Sequence, residues 1–178
     1  MAGSERYVAL LRGVNLGPRN KVAMADLRAT CESVGCTDVT TYIQSGNVVL
    51  SSRRTAAGLR TTLERAIADQ LGVSSTVVVR TRAQLARVLQ ANPFPRADPK
   101  ELHVGFLAEP PARRAAASLA DVSFPPDEFE LRGTELYFRY PNGMGRSKLA
   151  AFPFDRRLDV PVTVRNWRTV TKLHELSA

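Results

Sequence analysis

Three short segments of the chain contain cations together with glycines or amides in patterns that suit the binding of an anion. The first is the loop at residues 12–21, in which Arg12, Asn15 and Lys21 can donate hydrogen bonds to a phosphate or carboxylate. An apolar run precedes the loop and a helical pattern follows it, so the N–H groups and dipole of that helix would favour negative charge there. The alternative is a structural loop whose side chains cap neighbouring elements. The GxxxxGK[ST] pattern of a P-loop is absent.

The second segment, residues 143–148, is a glycine-containing turn that precedes a predicted helix and includes Ser147 and Lys148. A helix that starts after such a turn can hold an anion with its N–H groups, assisted here by a hydroxyl and by two cations, Arg146 and Lys148. The alternative is an ordinary helix start capped by Ser147.

The third segment, residues 163–172, contains the single tryptophan of the chain, Trp167. A tryptophan between two arginines, Arg165 and Arg168, could stack on a base or another ring. Asn166 and Lys172 of the same segment complete this set of candidate ligand-binding residues. The alternative is a core position in which the indole N–H is bonded locally.

A hairpin tip at residues 44–47 adds a further candidate set. Gln44 and Asn47 could bind a polar ligand through paired hydrogen bonds, and Tyr42 could stack on it. A turn whose asparagine bonds only to its own backbone is the alternative.

Residues that mark catalysis or metal binding are scarce. The chain has two histidines, His103 and His174, and contains neither an HExxH motif nor a GxSxG motif. Cys31 and Cys36 lack the second pair that a zinc site needs, and Cys31 is expected in the core. We therefore assign no catalytic residue, expect no metal and no cofactor, and leave open whether the protein is an enzyme.

The charge of the chain favours polyanionic partners but has a second explanation. The net charge is +8, and 21 of the 25 cations are arginine, as a GC-rich coding bias would also produce. A phosphorylated small molecule and nucleic acid are the candidate partners. No window approaches the length of about 18 apolar residues that a membrane span requires, and no signal segment is recognisable. We expect a cytoplasmic protein without a membrane partner, and the oligomeric state stays open.

Hydrophobic periodicity divides the chain into two halves with the same order of elements. In the first half, strands are predicted at residues 7–11, 39–44, 47–51 and 76–80, with helices near 24–34 and 59–71. A short linking helix capped by Thr81 follows and ends before the Pro93 region. In the second half, the predicted strands are 101–107, 128–132, 135–140 and 161–165, and the predicted helices are 110–120, 147–152 and a terminal one starting at Asn166 or Thr169.

This order predicts an α+β fold of two tandem ferredoxin-like βαββαβ subdomains with a C-terminal helix. Residues 1–91 would form the first subdomain with its linking helix, and residues 92–178 the second. We expect the second sheet to expose a mixed-charge face that includes Tyr137, which disfavours the aromatic face of an RNA-recognition module. The matching face of the first sheet, near Tyr42 and Val49, is less polar and should be covered by the other half or by a second subunit.

The motifs that carry these candidates also resemble a known family, the bacterial domain of unknown function 1697. The matching segments are LRGVN at 11–15, NKV at 20–22, TYIQSGNV at 41–48, NPF at 92–94, SKL at 147–149 and TVRNW at 163–167, followed by TV and KL. The resemblance implies an α+β protein of two related subdomains and implies no activity. Pro18 departs from the usual Gly-Gly pair of the first loop and removes one backbone donor there.

Three functional hypotheses follow from the sequence. The first is a binding module for a phosphorylated or nucleotide-like ligand at a basic loop cluster. The second is a small enzyme that acts on a phosphorylated metabolite, with Ser147, Lys148 or a carboxylate in a chemical role. The third is an interaction protein that self-associates through the face of its first sheet or through its last helix.

Overall fold

The computed structural model describes residues 3–178 and shows an α+β protein. Within that range the chain forms two four-stranded antiparallel sheets and six α-helices. The described residues divide into two compact units: residues 3–87 with 172–178 form one, and residues 88–171 form the other. The predicted division at residues 91 and 92 stays a prediction.

The first half of the chain alternates strands and helices as its hydrophobic pattern predicts. Its elements are β1 (Glu5–Leu11), α1 (Met24–Ser33), β2 (Thr37–Tyr42), β3 (Asn47–Ser52), α2 (Ala56–Leu71), β4 (Val77–Thr81) and α3 (Arg82–Gln90). Strand β2 ends at Tyr42, two residues earlier than predicted, because Ile43 has a φ of 50° and cannot continue an extended strand.

Strand β1 is central in the first sheet, whose order is β2-β3-β1-β4. It pairs antiparallel with both neighbours, so that Val8 lies opposite Val49 on one side and Arg80 on the other. A strand with neighbours on both sides and cover on both faces reads as a continuous apolar run. This accounts for the unbroken run of buried residues from Tyr7 to Leu11.

The core of the first unit lies between this sheet and helices α1 and α2. Alternate residues of β1, such as Ala9 and Leu11, belong to one hydrophobic cluster with residues of both helices. The helix residues include Leu27 and Cys31 of α1 and Leu59, Leu63 and Ile67 of α2. Burial of both cysteines confirms the core position expected for Cys31.

Helix ends in the first half follow sequence signals. Thr55 accepts a hydrogen bond from Gly58 N at the start of α2, and Gly72 ends that helix in the left-handed conformation. At the start of α3, Thr81 Oγ1 accepts from Gln84 N while Gln84 Oε1 accepts from Thr81 N. This reciprocal pair is a capping box, and it confirms the predicted start of the linking helix.

The second half repeats the order of elements with shorter helices. Its elements are β5 (Leu102–Leu107), α4 (Arg113–Ala117), β6 (Glu128–Arg132), β7 (Glu135–Arg139), α5 (Phe154–Leu158), β8 (Val162–Asn166) and α6 (Trp167–Leu176). The sheet order is β6-β7-β5-β8, with β5 in the central place that β1 takes in the first sheet.

One helix of the second half was predicted in the wrong place. Residues 147–152 form turns, and the helix begins after Pro153, at Phe154. Phe154 packs edge-on against Phe129, Phe138 and Phe152, so tertiary burial of this ring fixes the helix position. Local capping by Ser147 is satisfied by a single turn instead, in which Ala150 N donates to Ser147 Oγ.

The sheet faces opposite the helices are largely buried, as expected for the first sheet but not for the second. In the first sheet, Val8, Leu10 and Val49 are fully buried within the single chain. In the second sheet, Tyr137 is also buried, and its hydroxyl donates to the carbonyl oxygen of Val88 at 3.0 Å. The solvated face predicted around Tyr137 is thus wrong at that residue, although most of the charged members of the set remain exposed: Glu128, Glu130 and Arg132.

His103 of β5 is a pH-sensitive point in the second unit. Its ring packs edge-on against Tyr140 with centroids 5.3 Å apart, and its Nδ1 atom is buried without a hydrogen-bond partner. Burial lowers the pKa of His103 below its ordinary value, and the backbone of Glu101 partly opposes that shift. The folded protein therefore favours the neutral ring more than the unfolded chain does.

We predict that this histidine makes the protein less stable in mild acid. Its contribution is fully present above the unfolded-state pKa of about 6.5 and is lost as the pH falls toward the lower folded-state pKa, with a slope below about 1.4 kcal/mol per pH unit. His103→Phe keeps a ring against Tyr140 and removes the titration. Urea unfolding between about pH 5 and pH 7 should show a weaker pH dependence for this variant, whereas identical profiles would contradict the assignment.

Candidate functional site

The loop that follows β1 is anchored at its start by the neighbouring strand region. Arg12 N donates to Thr76 O at 2.9 Å, and Ser75 Oγ donates to Arg12 O at 2.8 Å. The Arg12 side chain is exposed, as is every residue from 16 to 21, including Lys21. The loop therefore leaves β1 in a fixed direction and presents its cations to solvent.

Asn15 joins this loop to the β2–β3 hairpin. Its side-chain oxygen accepts from Val22 N at 2.9 Å, and its Nδ2 donates to Val22 O at 2.9 Å and to Gln44 O at 2.7 Å. Its own φ of 56° is in the left-handed region that asparagine tolerates. In these three bonds the Asn15 amide has a structural role, in agreement with the alternative of a structural loop. The bonds also bring the loop that contains Lys21 next to the hairpin tip that contains Gln44.

Gly46 at the hairpin tip packs directly against the start of the loop. Its carbonyl accepts from Leu11 N at 2.9 Å. A Cβ at this position would lie 2.6 Å from Val14 Cγ2 and 2.8 Å from Leu11 Cβ, and the backbone φ is +73°. Only glycine meets both conditions, because it has no side chain and accepts positive φ.

We call residues 12–23 and 42–47 together the loop–hairpin surface. Asn47 is fully buried within it and donates to Tyr42 O at 3.1 Å and to Ser45 Oγ at 2.9 Å. Tyr42 is half-buried and Gln44 is exposed. The structure thus brings together six of the predicted ligand-binding residues in the first unit: Arg12, Asn15, Lys21, Tyr42, Gln44 and Asn47.

A separate cavity of about 430 Å³ lies in the second unit, and we call it the 143–148 cavity. Its lining comes from two segments: residues 142–148, which include the exposed cations Arg146 and Lys148, and the segment before β6. The remaining lining residues are Ser123, Phe124, Pro125, Pro126, Asp127, Asn142, Gly143 and Ser147.

Ser147 connects the two lining segments of this cavity, residues 142–148 and the segment before β6. Its hydroxyl donates to Asp127 Oδ2 at 2.6 Å and accepts from Ala150 N at 3.0 Å. Hydrogen bonds from a hydroxyl to a carboxylate are short and strong when the carboxylate is ionised. The cavity therefore holds a serine–carboxylate pair next to two cations, Arg146 and Lys148.

The third predicted segment spans the junction of β8 and α6. Arg165 is buried and donates to Thr163 Oγ1 at 2.7 Å and to Val164 O at 2.9 Å, and burial lowers its pKa to about 10. Asn166 is exposed and accepts from Thr169 N at 2.8 Å, which caps α6. Trp167 is half-buried. Lys172 is exposed and pairs with Glu175 at 3.2 Å.

Sequence reasoning did not select some residues that the structure places in these regions. Asp127 carried no signal, because its partner Ser147 is 20 residues away along the chain. Arg146 lay within a predicted segment but was not selected as a ligand residue. Leu16 and Ile43 are exposed apolar residues of the loop–hairpin surface, and a sequence gives no direct sign of exposure.

No group of three or more potential metal ligands occurs among residues 3–178. None of the helices in this described part of the chain has the length and apolar character that a bilayer crossing requires. The loop–hairpin surface belongs to the first unit and the 143–148 cavity to the second.

We predict that Gly46→Ala is severely destabilising, since the hairpin tip must withdraw from the loop. Strain from positive φ should cost about 1 kcal/mol and the contacts with Leu11 and Val14 about 1–3 kcal/mol more. Gly13→Ala is the matched control, because Gly13 has a φ of +70° but open space around its Cβ position. Denaturant unfolding of both variants measures the difference, and equal losses would show that the packing of Gly46 contributes nothing.

The chain was compared with known families, curated proteins and solved structures. The sequence profile of a family described as a protein of unknown function, DUF1697, matches residues 4–137. No curated protein matches the chain. A conserved bacterial protein, SP0830 from Streptococcus pneumoniae, has a similar structure: the TM-score is 0.81, the alignment covers 99% of this chain and 100% of that chain, and the sequences are 23% identical. That likeness shows a shared fold. Because the family match spans most of the sequence, the chain belongs to the DUF1697 family.

Proposed function

We propose that this protein binds a phosphorylated or nucleotide-like small molecule in the 143–148 cavity. The observation that carries the proposal is the placement of two exposed cations, Arg146 and Lys148, on one cavity of about 430 Å³. Ligand sites for small molecules typically have volumes of about 300–1,000 Å³. Guanidinium and ammonium groups are the usual protein partners of phosphate.

The remaining polar groups of the cavity narrow the ligand class. Asp127 adds a carboxylate to the lining of the same cavity, and Asn142 adds an amide. A simple inorganic anion would be repelled by the carboxylate. A ligand with a phosphate at one end and hydroxyl or N–H donors at the other, such as a nucleotide or a sugar phosphate, matches both charges.

The double variant Arg146→Ala/Lys148→Ala tests this function in a thermal-shift screen of nucleotides and sugar phosphates. A ligand present at about 100 times its dissociation constant stabilises the native state by about 2.7 kcal/mol. We expect at least one phosphorylated ligand to raise the Tm of the wild type, and the double variant to lose that shift. Arg113→Ala/Arg114→Ala is the control, because it removes the same charge from the exposed start of α4.

The two double variants separate a specific site from general attraction to a basic protein. Equal loss of the shift in both, together with stabilisation by every polyanion that disappears with salt, would reduce the effect to the net charge of +8. Absence of a shift with every phosphorylated compound would reject the proposal.

The second candidate is an enzyme of the same ligand class, and the serine–carboxylate pair favours it. Asp127 accepts the hydrogen bond of Ser147 at 2.6 Å, as a general base would before a serine attacks an electrophile. In such a step the Ser147 oxygen bonds to phosphorus, its proton passes to Asp127, and the bond from phosphorus to the leaving group breaks. Lys148 would neutralise the transferred phosphoryl group.

We predict that a phosphoryl-transfer role would leave a covalent trace on Ser147. Incubation with the ligands that raise the Tm, followed by mass spectrometry of the intact protein, should then show one added phosphoryl group that Ser147→Ala lacks. Ser118→Ala is the control for loss of a hydroxyl in the same unit. Ligand binding without modification or turnover would leave the binding module as the function.

Two further proposals concern the subdomain fold and the cellular compartment. We infer that each half is a ferredoxin-like subdomain, with the boundary at residues 91 and 92, since both sheets place the first and third strands of their half at the centre. Two unbridged, buried cysteines, Cys31 and Cys36, support a reducing compartment such as the cytoplasm.

A further inference from the structure

Two aliphatic side chains stand out on the loop–hairpin surface. Leu16 is 83% exposed and Ile43 is 51% exposed. Single exposed apolar residues are common on soluble proteins. These two differ because they lie on segments that are tied together, through the bond from Asn15 Nδ2 to Gln44 O.

The backbone at Ile43 gives no reason for an isoleucine there. Its φ is 50°, in the left-handed region that a β-branched residue rarely adopts. Asparagine or glycine would suit this backbone better, and they would also suit an exposed position. Neither burial nor backbone preference therefore explains why residue 43 is an isoleucine. Contact of its side chain with an apolar group outside the chain would explain it.

The charged residues of the loop–hairpin surface are all cations. Arg19 and Lys21 are exposed on the same loop. Neither segment of the loop–hairpin surface contains an aspartate or glutamate. The surface thus presents exposed aliphatic side chains and exposed cations on the same two tied segments, and the anchors at Asn15 and Gly46 hold it in one shape.

We propose that the loop–hairpin surface docks an acidic, amphipathic segment of another protein. Apolar side chains of that segment contact Leu16 and Ile43, and its carboxylates pair with Arg19 and Lys21. A second copy of this chain is the wrong occupant, since its net charge is +8. Single-stranded nucleic acid fits less well, because bases stack on aromatic rings and the two exposed residues are aliphatic.

An array of short peptides tests this docking site with the full-length protein. Each peptide carries several carboxylates and two apolar residues, Leu or Phe, and the spacing between these two residues varies across the array. Each peptide also has a counterpart in which serine replaces both apolar residues. We expect some peptides to bind at physiological salt at least about tenfold more tightly than their serine counterparts. Fluorescence anisotropy with the labelled peptides measures the affinities.

Variants of the surface link that binding to the named residues. Leu16→Ser and Ile43→Asn should each weaken the best peptide by about tenfold or more, and Ile43→Asn should leave the Tm unchanged or raise it. Met144→Ser is the matched control, because Met144 is an apolar residue 36% exposed in the other unit. Arg19→Ala/Lys21→Ala should lower both the affinity and its salt dependence, compared with Arg113→Ala/Arg114→Ala.

Three results would overturn the proposal. The first is an array in which no peptide binds better than its serine counterpart, since attraction would then be charge alone. The second is loss of binding in Met144→Ser equal to that in Leu16→Ser. The third is an oligothymidine that binds more tightly than every peptide and depends on Leu16 and Ile43, because the occupant would then be a nucleic acid.

Discussion

The central position of β1 determines where the first candidate surface can form. Because β1 pairs with β3 on one side and β4 on the other, its end lies next to the hairpin tip and next to the start of β4. The loop after β1 then has partners on both sides: Leu11 N donates to Gly46 O, and Arg12 N donates to Thr76 O. A loop of this length would otherwise be mobile. Sheet pairing at the start of the loop and the side-chain bonds of Asn15 within it together make it a fixed surface.

The sequence predicted the framework well because its signals are local. Periodicity located both central strands, and Thr81, Gly72 and Asn166 marked helix ends that the structure confirms. Prediction failed where burial at a distance decides the outcome. The ring of Phe154 sets the position of α5, and the buried hydroxyl of Tyr137 bonds to Val88, which is 49 residues away along the chain. Neither contact has a local signature.

The candidate residues divide in a way that only side-chain bonding reveals. Asn15, Asn47 and Asn166 were chosen because amides can bind ligands, yet each makes the hydrogen bonds of a turn or cap. Polar residues at turns commonly serve the backbone in this way. Most of the candidate cations, such as Lys21 and Lys148, are exposed instead, whereas Arg165 is buried and bonds to its own strand. Sequence patterns therefore located the regions better than they assigned roles within them.

The positive charge of the chain also separates into two classes, which bears on whether it is functional. Several arginines serve the fold: Arg139 pairs with both Glu101 and Glu128, and Arg157 donates to Ser118. A coding bias toward arginine would spread such residues over the surface without regard to cavities. Within the described part of the chain, paired cations line several cavities, such as Arg146 with Lys148 and Arg53 with Arg54, and at the 143–148 cavity they adjoin the hydrogen-bonded pair Ser147–Asp127. Clustering of this kind produces local fields that attract an anion to a particular place, which an even distribution of the same charge does not.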